Sequence, residues 1–158
     1  MGLYGLSMIA HSYLRWAVLL GGAIVIGASS HGLLRRRDWT ALDERSAVGF
    51  VLLVDIQFVL GLLLFVWLSP ITHALFTEGF DNVFQAPGLW FFGLAHPGLM
   101  VAAFVVMHFG RAKAKRLGSA KAKFRLTLVS AVVWFGLVVL AIPWPFLAYG
   151  RPLVRLFS

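Results

Sequence analysis

Residues 46–69 read SAVGFVLLVDIQFVLGLLLFVWLS and contain a single charged side chain, Asp55. A helix needs about 20 apolar residues to cross the roughly 30 Å hydrocarbon core of a bilayer, so this run is long enough to span a membrane. It lacks the alternation of apolar and polar residues that is typical of a barrel strand. The stretch therefore predicts a transmembrane helix.

Three further apolar runs, at about 6–34, 88–110 and 126–147, have comparable length. The chain of 158 residues is 60% hydrophobic and 13% charged, with a mean hydropathy of +0.87. A soluble domain of this length keeps a more polar surface. Short connections favour antiparallel neighbours. We therefore expect an all-α membrane protein, a single domain over 1–158 that forms a four-transmembrane-helix up-down-up-down bundle.

The net charge of +8 is concentrated in two connections. Four arginines lie in 35–45 and seven lysines and arginines lie in 111–125, whereas the connection 70–89 has no basic residue and the C-terminal tail has two. By the positive-inside rule, loops 35–45 and 111–125 are cytoplasmic and both termini are outside. These basic loops indicate contact with anionic membrane lipid rather than with nucleic acid. The absence of cysteine excludes disulfides and iron–sulfur ligation.

Histidines occur inside the apolar runs, where ionisable side chains are costly and indicate a function. In the predicted topology His11 and His96 lie near the outer ends of two helices, at similar depth. A helical bundle can hold a haem between two such histidines, one on each side of the iron. We interpret His11 and His96 as axial ligands of one haem b.

The residues around these histidines fit the same interpretation. Arg15 follows His11 by four positions, shares its helix face and would pair with a haem propionate or tune its charge. Gln57 and Gly61 share a face of the second helix and would line the cofactor slot, with Gln57 donating a hydrogen bond. Asp55 points to another face, and either reaches Arg15 or is protonated or hydrogen-bonded by a neighbour.

Several alternatives stay open. A histidine near a helix end can reach interfacial water, and an arginine can extend its head group outward from the same depth. His108 and His31 form a second candidate haem site, although helix rise places them at different heights. Pro97 kinks the helix or starts it, which leaves the direction of His96 undecided. The small residues of the first span, such as Gly21 and Gly22, permit close helix packing or leave room for a flat group.

The motifs HSYLRW, DIQFVLGL, AHPGLM, HFGRAK and IPWP resemble those of a group of small bacterial four-helix membrane proteins that are labelled cytochrome b-like. The similarity covers most of the chain. It marks His11, Arg15, Gln57, His96 and His108 and implies a multi-pass protein of the bacterial inner membrane. Members of the group often have a glutamate before the third-helix histidine, where this chain has alanine.

These patterns favour a b-type cytochrome that carries one haem near the outer side. It would transfer single electrons as a subunit or partner of a larger electron-transport complex. The first alternative is a cofactor-free accessory subunit of a respiratory or photosynthetic membrane complex. The second is a transporter or proton-handling protein built around Asp55 and Arg15. No catalytic motif is recognisable, so we expect an electron carrier or accessory subunit rather than an enzyme.

Overall fold

A computed structural model describes residues 2–78 and 83–154. Within these ranges the chain forms helices and no strand. The helices are α1 (Leu3–Arg35), α2 (Ala41–Leu63), α3 (Pro70–Glu78), α4 (Pro87–Trp90), α5 (His96–Lys115) and α6 (Ala120–Leu140). A π-helical turn, Leu64–Leu68, continues α2, and a second, Phe91–Ala95, joins α4 to α5. Arg155, one of the two basic residues counted in the C-terminal tail, lies outside the described residues.

Four helical segments are long and apolar enough to cross a membrane: Leu3–Arg35, Ala41–Leu68, Pro87–Lys115 and Ala120–Leu140. The predicted all-α, four-helix membrane fold is therefore confirmed. The last helix ends at Leu140 rather than near residue 147. Pro143 and Pro145 follow within five residues, and proline cannot continue a helix because its ring clashes with the preceding turn.

The start of α2 is defined by a capping box. The Thr40 hydroxyl accepts a hydrogen bond from the Asp43 amide, and the Asp43 carboxylate accepts one from the Thr40 amide. Arg37 donates two further hydrogen bonds to that carboxylate, at 2.6 and 2.7 Å. These contacts satisfy amides at the first turn that have no partner within the helix. They also explain why α2 begins at Ala41, before the apolar run.

The spanning helices have a definite order around the bundle. Helix α1 packs on α2 and α6, and α5 packs closely on α6 and more loosely on α2. Helices α1 and α5 therefore occupy diagonal positions and face each other through the interior. A core cluster of side chains fills the space between the helices, including Val18, Phe50, Met107 and Trp134.

Glycines allow close approach at the tightest contacts between helices. A Cβ atom added at Gly22 would lie 2.6 Å from the Trp134 ring, and one at Gly110 would lie 2.0 Å from Ser130 Oγ. Neither distance is sterically tolerable without a shift of the neighbour. The close-packing interpretation of the small residues in the first span is therefore confirmed for Gly22.

Because neighbouring helices are antiparallel, the first residues of α1 and α5 lie at the same end of the bundle as the last residues of α2 and α6. The segment after α6 folds back over this end, where the Arg151 amide donates to the Pro143 carbonyl. Arg15 Nη2 and Trp16 Nε1 both donate to the Leu153 carbonyl, at 2.6 and 3.1 Å. The C-terminal segment 141–154 is thus attached to α1 above the bundle interior.

Candidate cofactor site

A cavity of about 270 Å³ lies at this end of the bundle, between the four spans. Its lining extends along α1 from Tyr4 to Val18, about 21 Å of helix, with His11 midway. The wall is mainly apolar and includes Met8, Phe58, Met100, Phe104 and Trp134. All five predicted cofactor residues contribute to the same wall: His11, Arg15, Gln57, Gly61 and His96.

His11 and His96 face each other across the cavity from the diagonal helices α1 and α5. Their ring centroids are 6.3 Å apart and their planes are inclined at 67°. The two imidazoles therefore lie at the same depth, as the helix directions predict. The two rings approach each other directly, through the interior of the bundle.

His96 is oriented by the end of α6. Its Nδ1 lies 2.8 Å from the Ala141 carbonyl oxygen, which can only accept a hydrogen bond. The ring proton is therefore on Nδ1, and Nε2 carries a free lone pair. A backbone carbonyl bonded to one ring nitrogen is the usual support for a histidine that binds metal through the other.

The π turn Phe91–Ala95 precedes His96 directly, and the His96 amide donates to the Phe91 carbonyl. In such turns the backbone hydrogen bonds join residues five positions apart instead of four, and the turns occur frequently at functional sites. Pro97, which has no amide hydrogen, follows at the second position of α5. The helix restarts with His96 turned toward the cavity, which settles the direction that the sequence left open.

Gln57 determines the hydrogen bonding of His11. Its side-chain amide nitrogen donates to the His11 carbonyl at 3.1 Å and lies 3.3 Å from His11 Nε2. Because the carbonyl requires a donor, the amide orientation is defined, and Nε2 of His11 accepts. Gly61 lies beside the same ring: a Cβ there would be 3.1 Å from His11 Cε1.

Buried polar atoms at this site that have no hydrogen-bond partner among the described residues include His11 Nδ1 and Gln57 Oε1. Leaving such an atom unsatisfied costs roughly 1–3 kcal/mol, and unsatisfied groups in native structures call for an explanation. A bound molecule that reorganises these contacts supplies one.

Two guanidinium groups line the cavity near the C-terminal segment. Arg15 Nη2 donates to the Leu153 carbonyl and, at 3.5 Å, to the Ser12 hydroxyl. Arg151 lies over the Phe92 ring, 5.3 Å from its centroid. Arginine pairs with carboxylates through two parallel hydrogen bonds, so this end of the cavity is suited to an anionic group. Arg151 was not predicted from the sequence, although the prolines after α6 indicate the turn that brings it back to this end of the cavity.

The other intramembrane polar residues lie apart from the cavity. Asp55 Oδ1 is 3.1 Å from His108 Nε2, so His108 rather than Arg15 is the neighbour of Asp55. His108 Nδ1 bonds to the Phe104 carbonyl at 3.0 Å. The stacked rings of Phe58 and Phe104, 4.3 Å apart, separate this pair from the cavity.

His31 and His73 are exposed, on α1 and α3 respectively. The described part of the chain contains no cluster of three or more histidine, aspartate and glutamate side chains that could hold a metal ion. His108 uses both ring nitrogens in the contacts given above. The second haem site on His108 and His31 stays a prediction.

Comparison of the chain with protein-family models, with curated proteins and with solved structures finds no match.

Proposed function

We propose that this chain is a b-type cytochrome of a bacterial inner membrane, with one haem b between His11 and His96 and one-electron transfer as its function. The observation that carries the proposal is the 6.3 Å separation of the two imidazole centroids across the cavity. Metal–imidazole bonds are about 2.0–2.1 Å long, so two rings bound on opposite sides of one ion have centroids about 6 Å apart. Imidazole nitrogens are established ligands of haem iron, so His11 and His96 would hold the group.

The other residues of the cavity fit the same group. His96 Nε2 has a free lone pair, and His11 would offer the lone pair of Nε2 once the Gln57 amide leaves that atom and keeps its bond to the His11 carbonyl. Arg15 and Arg151 would hold the two propionates, and the aromatic and methionine side chains would cover the macrocycle. An apolar cavity of about 150 Å³ holds benzene, so 270 Å³ accommodates a larger ring system. Haem is larger still, so its binding requires the side chains and helix ends that line the cavity to move apart.

The protein would determine the potential of the group and keep it in place. When bound, haem supplies the one-electron change of its iron. His11 and His96 would bind the iron, and the apolar wall would exclude water. The two arginines would raise the reduction potential, because their positive charge disfavours the oxidised, more positive iron.

The setting of the haem implies partners. By the positive-inside rule the basic loops 35–45 and 111–125 are cytoplasmic, which places His11, His96 and the cavity toward the outer side. A single haem there cannot carry an electron across the membrane alone. We therefore propose that the chain works as a subunit or partner of a larger electron-transport complex.

The test is a reduced-minus-oxidised absorption spectrum with a pyridine haemochrome assay on the purified protein. We expect about one haem b per chain in the wild type and loss of the signal in His96→Ala. His73→Ala removes an exposed histidine and should retain it. A folded wild-type protein without haem would contradict the proposal and favour the cofactor-free accessory subunit.

A further inference from the structure

The Asp55–His108 pair lies on the outward-facing surface of the bundle, away from its interior, between α2 and α5. Each side chain is 38% exposed, although their facing atoms Asp55 Oδ1 and His108 Nε2 are 3.1 Å apart. The Phe58–Phe104 stack closes off the cofactor cavity behind them. The pair is therefore no part of that site and has one side turned away from the protein.

This position is costly in a membrane. Asp55 is near the middle of the span Ala41–Leu68, about 20 Å of helix from its start. The surface around it is apolar and exposed, with Leu52 and Ile56 on α2 and Val105 on α5. Hydrocarbon chains offer no hydrogen bonds, and ionisable groups in spans normally face the protein or a water-filled cavity. A half-covered pair at this depth indicates a protein surface that covers it.

The hydrogen bonds show which atom lacks a partner. His108 Nδ1 donates to the Phe104 carbonyl, and His108 Nε2 lies 3.1 Å from Asp55 Oδ1. Asp55 Oδ1 is buried and has no hydrogen-bond partner of regular geometry among the described residues, and Oδ2 is the more exposed oxygen. No hydrogen bond within residues 2–78 and 83–154 engages Oδ2. The carboxylate therefore presents one acceptor to whatever covers this face.

We propose that the covering surface is the same face of a second copy of this chain. In a dimer whose two-fold axis runs along the membrane normal, equivalent residues of the two copies lie at the same depth. The two contact faces are related by a half-turn, so the left-hand helix of one face meets the right-hand helix of the other. Helix α2 of one copy then faces α5 of the other. Because Asp55 and His108 lie at one depth on neighbouring helices, Asp55 of one copy lies opposite the partner's His108, whose Nε2 then lies between the two carboxyl groups, and the reverse contact forms by symmetry.

Self-complementarity is the property that distinguishes a second copy from another partner. A two-fold interface uses the same patch on both subunits, so the patch must carry both the acid and the base. The Asp55–His108 pair meets this requirement, and the dimer brings two acids and two bases together. The apolar surface agrees: 11% of the α2 span and 17% of the Pro87–Lys115 span are buried, against 33% for α1 and α6.

Disulfide trapping in native membranes tests the interface directly, because the chain has no cysteine of its own. Two differently tagged copies are co-expressed, one with Ile56→Cys and the other with Val105→Cys. We expect a cross-linked species that carries both tags after mild oxidation. The control pair, Leu20→Cys with Val133→Cys, places the thiols on exposed positions of α1 and α6. Cross-links that form equally well in the control pair would overturn the proposal.

The mass of the protein in lipid nanodiscs, measured over a range of concentrations, tests the role of the pair. Asp55→Ala with His108→Ala removes both groups and leaves no unpaired charge. Interhelical hydrogen bonds of this kind imply that the double variant weakens the dimer by about tenfold or more. The exchange Asp55→His with His108→Asp keeps acid and base on the patch and should retain the dimer.

A monomeric wild type, or an unchanged dimer in the double alanine variant, would overturn the proposal. So would a wild-type complex with a different protein at this face. The haem spectrum of each variant is recorded in parallel. Because the pair lies outside the cavity, the double variant should keep its haem, so failure of the dimer proposal is distinguishable from failure of the cytochrome proposal.

Discussion

At the residue scale, Gly61 gives His11 the space it occupies. A Cβ at this position would lie 3.1 Å from His11 Cε1, so Gly61→Ala must displace the ring by a few tenths of an ångström. A side chain moved away from its preferred rotamer costs of order 0.5–1.5 kcal/mol. We expect haem affinity to fall by roughly threefold to tenfold, measured by titration of the apoprotein.

Gly49→Ala is the matched control, since it lies on the same helix and a Cβ there has no neighbour within 4 Å. Both substitutions make the same small change in helical preference. Equal haem affinity in the two variants would mean that His11 does not bind the group.

Arg151 offers a second residue-scale prediction, about redox potential. A positive charge beside the site disfavours the oxidised, more positive iron, so Arg151→Gln should lower the midpoint potential. At an effective dielectric constant near 20 and a distance of about 10 Å, the change is some tens of millivolts. A redox titration followed optically measures it.

The control for this charge change is Lys113→Gln, at the opposite end of α5. It is exposed and about 25 Å of helix from His96, where salt screens the charge. A similar shift in both variants would show that Arg151 does not lie beside the redox group.

At the scale of the helices, the sequence predicts the number, type and approximate bounds of the spans, because hydrocarbon thickness sets their length. Side-chain direction is harder to predict. The π turn before His96 departs from the regular helical period, so rotation counted along the sequence fails there. Within regular α5 it succeeds: His96 and His108 point to different surroundings, as their spacing of twelve residues implies.

Helix packing is sensitive to the glycines at close contacts. In Gly110→Ala the new Cβ would lie 2.0 Å from Ser130 Oγ, so α5 and α6 must separate. Overpacking of this kind costs about 1–3 kcal/mol. We expect the thermal unfolding midpoint in detergent to fall by several degrees.

Gly136→Ala on α6, where a Cβ meets nothing within 4 Å, should leave the midpoint nearly unchanged. Adding Ser130→Gly to Gly110→Ala removes the clashing hydroxymethyl group and should recover part of the loss. A midpoint that stays at the wild-type value in Gly110→Ala would show that α5 and α6 do not pack as described.

At the scale of the whole molecule, the site depends on helix order, which the sequence does not reveal. Hydropathy cannot show that α1 and α5 are diagonal, nor that the segment after α6 returns Arg151 to the cavity. The apolar lining, such as Phe58 and Trp134, has the same pattern as ordinary core residues. The predictable part of the site is its polar part, since His11, Arg15, Gln57 and His96 are unusual in a span.

The orientation of the molecule in the membrane is the last prediction, and it decides which side the cavity faces. Single cysteines at Gly118→Cys, between α5 and α6, and Gln85→Cys, before α4, introduce one thiol each into a chain without cysteine. Both positions are exposed. An impermeant maleimide should label Gln85→Cys in intact spheroplasts and Gly118→Cys only after lysis, because the positive-inside rule assigns loops 35–45 and 111–125, with their eleven basic residues, to the cytoplasm.

The reverse labelling pattern would place His11, His96 and the two arginines toward the cytoplasm, and any electron partner with them. Replacing the basic residues of loop 111–125 by glutamine should weaken the preference and give labelling of Gly118→Cys in part of the intact cells. The number of substitutions needed measures how strongly this loop, rather than loop 35–45, determines the topology. It would thereby test whether the charge distribution or the packed helix order dictates the side on which the cavity opens.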